Sequence, residues 1–367
     1  MQRETRDRRL LDLSTKGSGQ TPDSRSGDGR LTLKGGVREI LASAMLEARG
    51  VNSSKGFSLI ETGEALERHD EPSPTRSAVL TRLSHSHLRF GVFQRHAFHD
   101  DRDALKTLID HAAEHYMPEI MEADDKPAAL LAAACRNTAR MTAQWMAAGF
   151  VHGVLNTDNV TITGESFDYG PFRFLPQFEP GFTAAYFDHS GLYAFARQPE
   201  AVFWNCQALA SAISALGSPD DALVAALREF EPAYRLGLRD AMFARLGLTI
   251  TDVLEEDLSF VRDTLAHLED SKTPWETFFH HWFGGAARVH QTTPDWPPAD
   301  WVKRLEAFEP HRPERLDHTI FGAAEPVDLL YDEIEEIWAA IDQKDDWGLF
   351  EKKMAQIETV RVAIHEL

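Results

Sequence analysis

Cysteine is scarce in this chain: Cys135 and Cys206 are the two present in 367 residues. Two thiols cannot build a disulfide scaffold or an all-thiolate zinc site, and both lie in apolar, helix-like stretches, so they read as buried and reduced. Positive charge is also short, with 38 Lys and Arg against 58 acids and a formal net charge of −20. That balance repels nucleic-acid phosphates and anionic lipid, which disfavours both as partners. No run approaches the ~18 apolar residues of a membrane span. The start, Met1 to Arg9, mixes Arg with Glu4 and Asp7 and has no apolar block, so neither a signal peptide nor a transit peptide fits and the cytoplasm is the expected location.

What remains is ample for a core, with 43% apolar and 10% aromatic residues. Up to about Gly91 the chain reads as strands with one helix. Leu11 to Lys16 alternates, Gly17 to Gly29 is a loop rich in Gly, Ser and Pro, and Leu31 to Leu33 is extended. Val37, Ile40, Leu41, Ala44, Met45 and Ala48 then recur at helical spacing before Gly50, and Phe57–Ile60 and Ala78–Leu80 are further strand candidates. After Asp100 helical periods dominate: around Leu105–Ala112, Leu131–Trp145, Trp204–Leu216, Asp221–Leu246, Val253–Leu268, Trp275–Phe283 and Leu329–Lys344, with one short strand at Val160–Ile162. The expected fold class is α+β, in two lobes. Residues 1–98 would form a small mixed lobe with a phosphate-binding loop, and 99–367 a helical lobe carrying the chemistry. Because Leu11 already reads as strand, the small lobe is expected to lack an N-terminal cap and to leave a sheet edge open.

The richest segment is His152-Gly153-Val154-Leu155-Asn156-Thr157-Asp158-Asn159, followed nine residues after Asn159 by Asp168-Tyr169-Gly170. Kinase-type phosphotransferases use an Asp to accept the substrate's hydroxyl proton, then an Asn on Mg²⁺, then an Asp before a Gly that completes the metal cage. Asn159 and Asp168 occupy the two metal positions. The place five before the Asn, where the base is expected, holds Val154, which cannot take a proton; either catalysis is lost or Asp158 has taken over. The order of parts supports a kinase-like fold: Lys16 on a strand, Glu39 on the next helix, then the loop and Asp168. Lys16 would bind phosphate oxygens and pair with Glu39.

Other groups are less decisive. Lys16 through Asp28-Gly29 reads equally as a phosphate cradle or as a hairpin turn. Arg82 and Arg89 are seven apart and could clamp a terminal phosphate, or make surface salt bridges. His85 and His87 alternate like a zinc pair, but no third ligand lies nearby in sequence. His280-His281 reads as helix packing. Asp188-His189 lacks a nucleophile motif and reads as a solvated loop.

Together the runs Leu13 to Pro22, Gly27 to Arg30, Val37-Arg38-Glu39, His152 to Asn159 and Phe167 to Phe172 resemble the selenoprotein O family of kinase-like protein adenylyltransferases. The resemblance extends from about Leu10 through Gln198 to Ala201 and Trp204-Asn205, and more weakly beyond. It implies transfer of AMP from ATP to a Ser, Thr or Tyr hydroxyl of a protein, with ATP inverted relative to a protein kinase so that pyrophosphate leaves. Position by position it implies Asp158 as proton acceptor, Asn159 and Asp168 on Mg²⁺ (Mn²⁺ as the alternative ion), and Asp168 also facing the nucleotide. Lys16 would bind phosphate, held by Glu39; Asp28 and Gly29 would line the nucleotide site; Arg82 and Arg89 would hold the buried phosphate end. The chain is expected to be an N-terminally shortened member lacking an upstream Gly-rich segment, and Asp23, where the family usually has Tyr, should weaken nucleotide binding. The rival readings are an ordinary phosphotransferase and a non-catalytic nucleotide-binding pseudokinase fragment.

Overall fold

Alternation along Thr75–Ser84 decides the geometry of the small lobe. Ala78, Leu80, Arg82 and Ser84 are all buried, so every second residue of this strand points to one face. The computed structural model describes residues 2–4, 10–21, 24, 27–69, 71–288 and 298–365; most of the N-terminal Arg-rich stretch, Pro22 and Asp23 lie outside them. Five strands form one antiparallel sheet: β1 (Gln2–Glu4), β2 (Leu10–Lys16), β3 (Leu31–Thr32), β4 (Lys55–Leu66) and β5 (Thr75–Ser84). β5 is its centre, with β4 on one side and both β2 and β3 on the other. The register sets Ser14 opposite Arg82 and Lys16 opposite Leu80. Directly opposed residues share a face, so Lys16 and Arg82 emerge together on the side where Arg82 is buried.

Helix α1 (Leu33–Ala48) follows β3 immediately, because the Thr32 hydroxyl accepts the Gly35 N–H at 3.1 Å and starts the helix at Leu33, the residue on which the extended piece was expected to end. Val37, Leu41 and Met45 bury one face of α1, and Glu39 is buried as well. Past the sheet the chain is helical: α2 (Phe90–Phe98), α3 (Arg102–His115) and the long α4 (Lys126–Ala148), then a two-stranded ribbon of β6 (Phe150–Val151) and β7 (Arg173–Phe174). Asp125 caps α4 through the Ala128 N–H at 3.0 Å, and Gly149 ends it at φ 64°, where a Cβ would stand 2.5 Å from Nε1 of Trp275. Then come α5 (Gln198–Ile213), α6 (Asp220–Leu227), α7 (Phe230–Leu246), α8 (Leu254–Ser271), α9 (Trp275–Trp282), α10 (Ala299–Leu305), α11 (Tyr331–Lys344) and α12 (Gly348–His365). α4 packs against α5, α6 and α7 at the centre of the helical part, while α12 returns to lie on α1. Among the described residues no helix is long and apolar enough to cross a membrane.

Three expectations change. Val160–Ile162 is not a strand; Thr161 makes a single bridge with Arg89, flanked by bonds from Phe90 N–H to Val160 O and from Ile162 N–H to Leu88 O, each 3.0 Å. The helix expected over Asp221–Leu246 is two, α6 and α7. Leu223, Ala226, Phe230 and Ala233 keep an unbroken apolar period across the join, which hides it in the sequence. The edge at β2 is covered in part, because β1 pairs with it over Leu10–Asp12, the first three of its seven residues. The two cysteines are free and buried, as expected.

Candidate active site

Lys16 closes the sheet's contribution to the site. Its ammonium bonds both Oε1 of Glu39 and Oδ1 of Asp168, joining β2, α1 and the segment after the ribbon's first strand. Arg82 Nη1 reaches the same Asp168 oxygen at 3.1 Å and lies 3.8 Å from Oε2 of Glu39. Arg82 is 4% exposed, so the surface-salt-bridge reading of this residue is wrong. Arg89, at the N-cap of α2, shares an aromatic with Arg82: the guanidinium carbons of Arg82 and Arg89 lie 5.3 and 5.1 Å from the Phe167 ring centroid.

The electrostatics follow from this packing. Burial works against an Asp168 carboxylate, but Lys16, Arg82 and Arg89 outweigh it and hold the group well below the usual carboxylate range. Burial likewise opposes the Lys16 charge, and Glu39 with Asp168 outweighs that too, raising its pKa. At Arg89 burial wins and the pKa is lowered, with Asp168 and Asp158 opposing the shift. Lys16, Arg82 and Arg89 thus bring three cations together with Glu39 and Asp168, and with Asp158 from the adjoining loop, inside a strongly acidic chain. A polyphosphate is the complementary ligand.

Asp168 adopts φ 68°, a left-handed conformation uncommon outside Gly. Several bonds hold it there. The buried His152, kept neutral by burial, donates from Nε2 to the Phe167 carbonyl at 3.1 Å. Arg38, next to Glu39 on α1, donates to the carbonyls of Gly170 at 3.3 Å and Phe172 at 3.1 Å. Tyr169 reaches Ser53 at 2.6 Å, and the buried Glu165 accepts from the Ser84 hydroxyl at 2.7 Å and the His85 N–H at 2.6 Å, joining this segment to the end of β5.

The loop before it is equally fixed. Gln198 takes the His152 N–H at 3.0 Å and donates to the Phe150 carbonyl at 2.8 Å, and Asn205 donates to the Leu155 carbonyl at 2.9 Å. Asn159 donates from Nδ2 to the Val154 carbonyl at 3.0 Å. Position 154 therefore contributes through its backbone, which a Val side chain leaves intact. Asp158 sits over the first turn of α2, where a Cβ on Gly91 would stand only 2.2 Å from its Oδ1.

The structure thus gathers Lys16, Glu39, Arg82, Arg89 and Asp168 into one cluster, with Asp158 and Asn159 on the adjoining loop. Asp28 is held elsewhere: it is exposed, accepts the Arg30 N–H at 3.0 Å and pairs with Arg68 at 2.9 Å, contacts that lower its pKa. Gly29 closes the loop on itself by accepting the Gly19 N–H at 3.0 Å, and a Cβ there would meet the Gly19 carbonyl oxygen at 2.2 Å. His85 and His87 bond Leu10 O at 2.7 Å and Asp12 Oδ2 at 3.0 Å, tying the end of β5 to β2. His280 packs against the Ala323 carbonyl, and Asp188 caps the N–H groups of Leu192 and Tyr193 in a loop. Phe167 and Gly91 are the parts that sequence reasoning did not isolate. For Phe167 the available signal was an aromatic directly before Asp168.

Residues 1–358 match the family model described as protein adenylyltransferase SelO. The chain belongs to the SelO family. It is 44% identical over 359 residues to the protein nucleotidyltransferase YdiU of Gloeobacter violaceus, covering 94% of this chain and 74% of the relative. The YdiU proteins of Synechocystis sp. and Trichormus variabilis are 41% and 39% identical, covering 95% and 96% of this chain and 78% and 76% of the relatives. Membership in SelO makes the chain a nucleotidyltransferase, and its sheet-bearing N-terminal part and helical remainder are the kinase-like fold of that family.

Among the described residues no group of three or more His, Cys, Asp or Glu converges as a metal site. A Mg²⁺ that works with nucleotides needs only one or two protein carboxylates beside substrate phosphates. Asp168 would supply the carboxylate, and Asn159, whose amide nitrogen is bonded to the Val154 carbonyl, would supply its amide oxygen.

Proposed function

We propose that this chain transfers AMP from ATP to Ser, Thr or Tyr hydroxyls of proteins, with Mg²⁺, or Mn²⁺ in its place, held by Asn159 and Asp168. The observation that carries the assignment is the convergence of Lys16, Arg82 and Arg89 on Asp168 and Glu39. Lys16 and the two Arg would bind the polyphosphate, Arg89 and Arg82 taking its buried end, with Glu39 orienting Lys16; Asp28 and Gly29 would contribute from the neighbouring loop. The ion, when bound, would neutralise charge on the phosphate oxygens. The acceptor hydroxyl oxygen forms a bond to the α-phosphorus, the bond from that phosphorus to the bridging oxygen breaks, and pyrophosphate leaves. Asp158 takes the hydroxyl proton. Most of the rate gain comes from positioning and charge neutralisation, so a base displaced from position 154 suffices. We place the protein in the cytoplasm, where its two buried thiols stay reduced.

The experiment is transfer of label to protein from ATP labelled at the α-phosphate, compared with ATP labelled at the γ-phosphate. Label from the α-position that disappears in Asp168→Ala supports adenylyl transfer. Label arriving only from the γ-position identifies a kinase and overturns the proposal.

A further inference from the structure

The catalytic loop has a second neighbour besides the phosphate cluster. Leu155, three residues before Asp158, forms one wall of a groove of about 190 Å³ completed by Leu192, Tyr193, Ala201 and Trp204. That volume is below the roughly 300 Å³ at which small-molecule sites begin, and suits one large side chain. Trp204 is 58% exposed at its rim, and the segment leading to it also presents Phe187 and Tyr186, the latter 74% exposed. An exposed Trp on the rim of an apolar groove beside the loop marks a contact surface rather than scattered surface apolarity.

The surface is built, not loose. Asp188 accepts the N–H groups of Leu192 and Tyr193 at 2.8 Å each, Phe195 N–H donates to Phe182 O at 2.9 Å, and Asn205 on α5 anchors the Leu155 carbonyl. A partner would therefore find the groove already ordered, with little entropy left to lose. Charge narrows the partner. Arg197 and Glu200, both in the groove's lining, neutralise one another at 3.1 Å, which leaves the carboxylate of Asp188, bonded to the N–H groups of Leu192 and Tyr193, as the negative charge beside it in an already acidic chain. Acidic segments are repelled and basic ones attracted.

We propose that this groove docks the acceptor protein: it receives a large apolar side chain of an extended acceptor segment that also carries basic residues, setting the neighbouring hydroxyl beside Asp158. The identity of the occupant rests on the adenylyl-transfer reading, which requires a protein chain to reach this loop. Trp204 is then a specificity-determining contact, outside the nucleotide machinery.

The test is fluorescence anisotropy with short labelled peptides bearing a central serine, lysines on the flanks, and a leucine or phenylalanine stepped through the positions around the serine. At least one placement binds, and either Trp204→Ala or replacing the peptide's apolar residue with alanine weakens it by about tenfold, the loss of one buried anchor. ATP affinity of Trp204→Ala stays at the wild-type value. Equal affinity of wild type and Trp204→Ala, equal affinity for peptides with glutamates in place of the lysines, or no binding at any placement each overturns the proposal. The binding assay needs no turnover, so absent AMP transfer with Trp204-dependent binding would sink the adenylyl reading and spare the groove.

Discussion

Gly91→Ala places a methyl group where the carboxylate of Asp158 sits. The new Cβ would lie 2.2 Å from Oδ1, against the 3.4 Å at which ordinary van der Waals contact begins, so the carboxylate must retreat by about an ångström. A carboxylate is the movable end of a side chain, and the next neighbour, the Thr157 carbonyl oxygen at 3.5 Å, is already at a tolerable distance. The fold should therefore absorb the change. Gly91 lies in the first turn of α2, where Ala gains up to about 1 kcal/mol in backbone entropy over Gly. Stability and activity are thus expected to part. The melting temperature holds or rises, while a displaced proton acceptor lowers kcat for AMP transfer about 100-fold, equivalent to ~2.7 kcal/mol in activation free energy. ATP affinity, proposed to rest on Lys16, Arg82 and Arg89, should stay near wild type. Calorimetric ATP titration, thermal unfolding and steady-state transfer assays on one preparation separate these outcomes. Unchanged kcat would refute the placement of Asp158 as the proton acceptor, and a collapsed melting temperature would refute the claim that its side chain yields.

Two further predictions concern the charges that hold the site. Because the Asp168 pKa is depressed in the folded state, its ionised form stabilises the protein above the ordinary carboxylate pKa, near 4, and this contribution fades as pH falls through the lower folded value. Urea unfolding of wild type and Asp168→Asn should show a stability difference that is constant near neutrality and shifts against the wild type below about pH 4; a difference independent of pH would contradict the ion cluster. Arg49, just past the end of α1, bonds Glu276 at 3.0 Å, Asp328 at 2.6 Å and the Ala148 carbonyl at 2.9 Å with almost no exposure. Arg49→Ala leaves buried carboxylate charge behind and should cost about 3–5 kcal/mol in unfolding free energy, and a loss under about 1 kcal/mol would show that the network carries little.

The parts of the site legible in the sequence are those whose chemistry fixes residue type at short range. His152 to Asn159 and Asp168 sit on one stretch, and their spacing was enough to find them. Lys16 and Glu39 were found by order, on a strand and on the helix that follows, although Lys16 meets Asp168 across 152 residues of sequence. Gly91 was invisible because its requirement exists only once α2 meets the loop carrying Asp158. Phe167 was invisible as a platform because its Arg partners come from two distant elements, Arg82 on β5 and Arg89 at the N-cap of α2. Among the elements, the central run of β5 was plain, but its full length was set by pairing with β2, β3 and β4 rather than by its own residues. α12 gives little sign of its place: its buried residues Lys353, Ile357, Val360 and Ala363 mix charge with apolarity, and its position is decided by α1.

That last dependence explains how parts so distant in sequence stay aligned. α1 carries Arg38 and Glu39, the first holding the carbonyls after Asp168 and the second holding Lys16, so any rotation of α1 would disturb both at once. The C-terminal helices oppose such a rotation along the whole of α1. Lys34 in its first turn bonds Glu335 of α11 at 2.7 Å, Arg49 at its end bonds Asp328, and the Ala48 carbonyl meets His365 Nε2 at 3.2 Å. Arg76 on β5 adds a bond to the Ile341 carbonyl at 2.9 Å. A half-buried pair at the surface such as Lys34–Glu335 is worth about 1 kcal/mol, so most of the restraint comes from the buried Arg49 contacts and the apolar packing of α12 on α1. The Lys16–Glu39 pair is therefore maintained in part by residues of the C-terminal helices, of which Glu335 also lies 4.0 Å from Arg38.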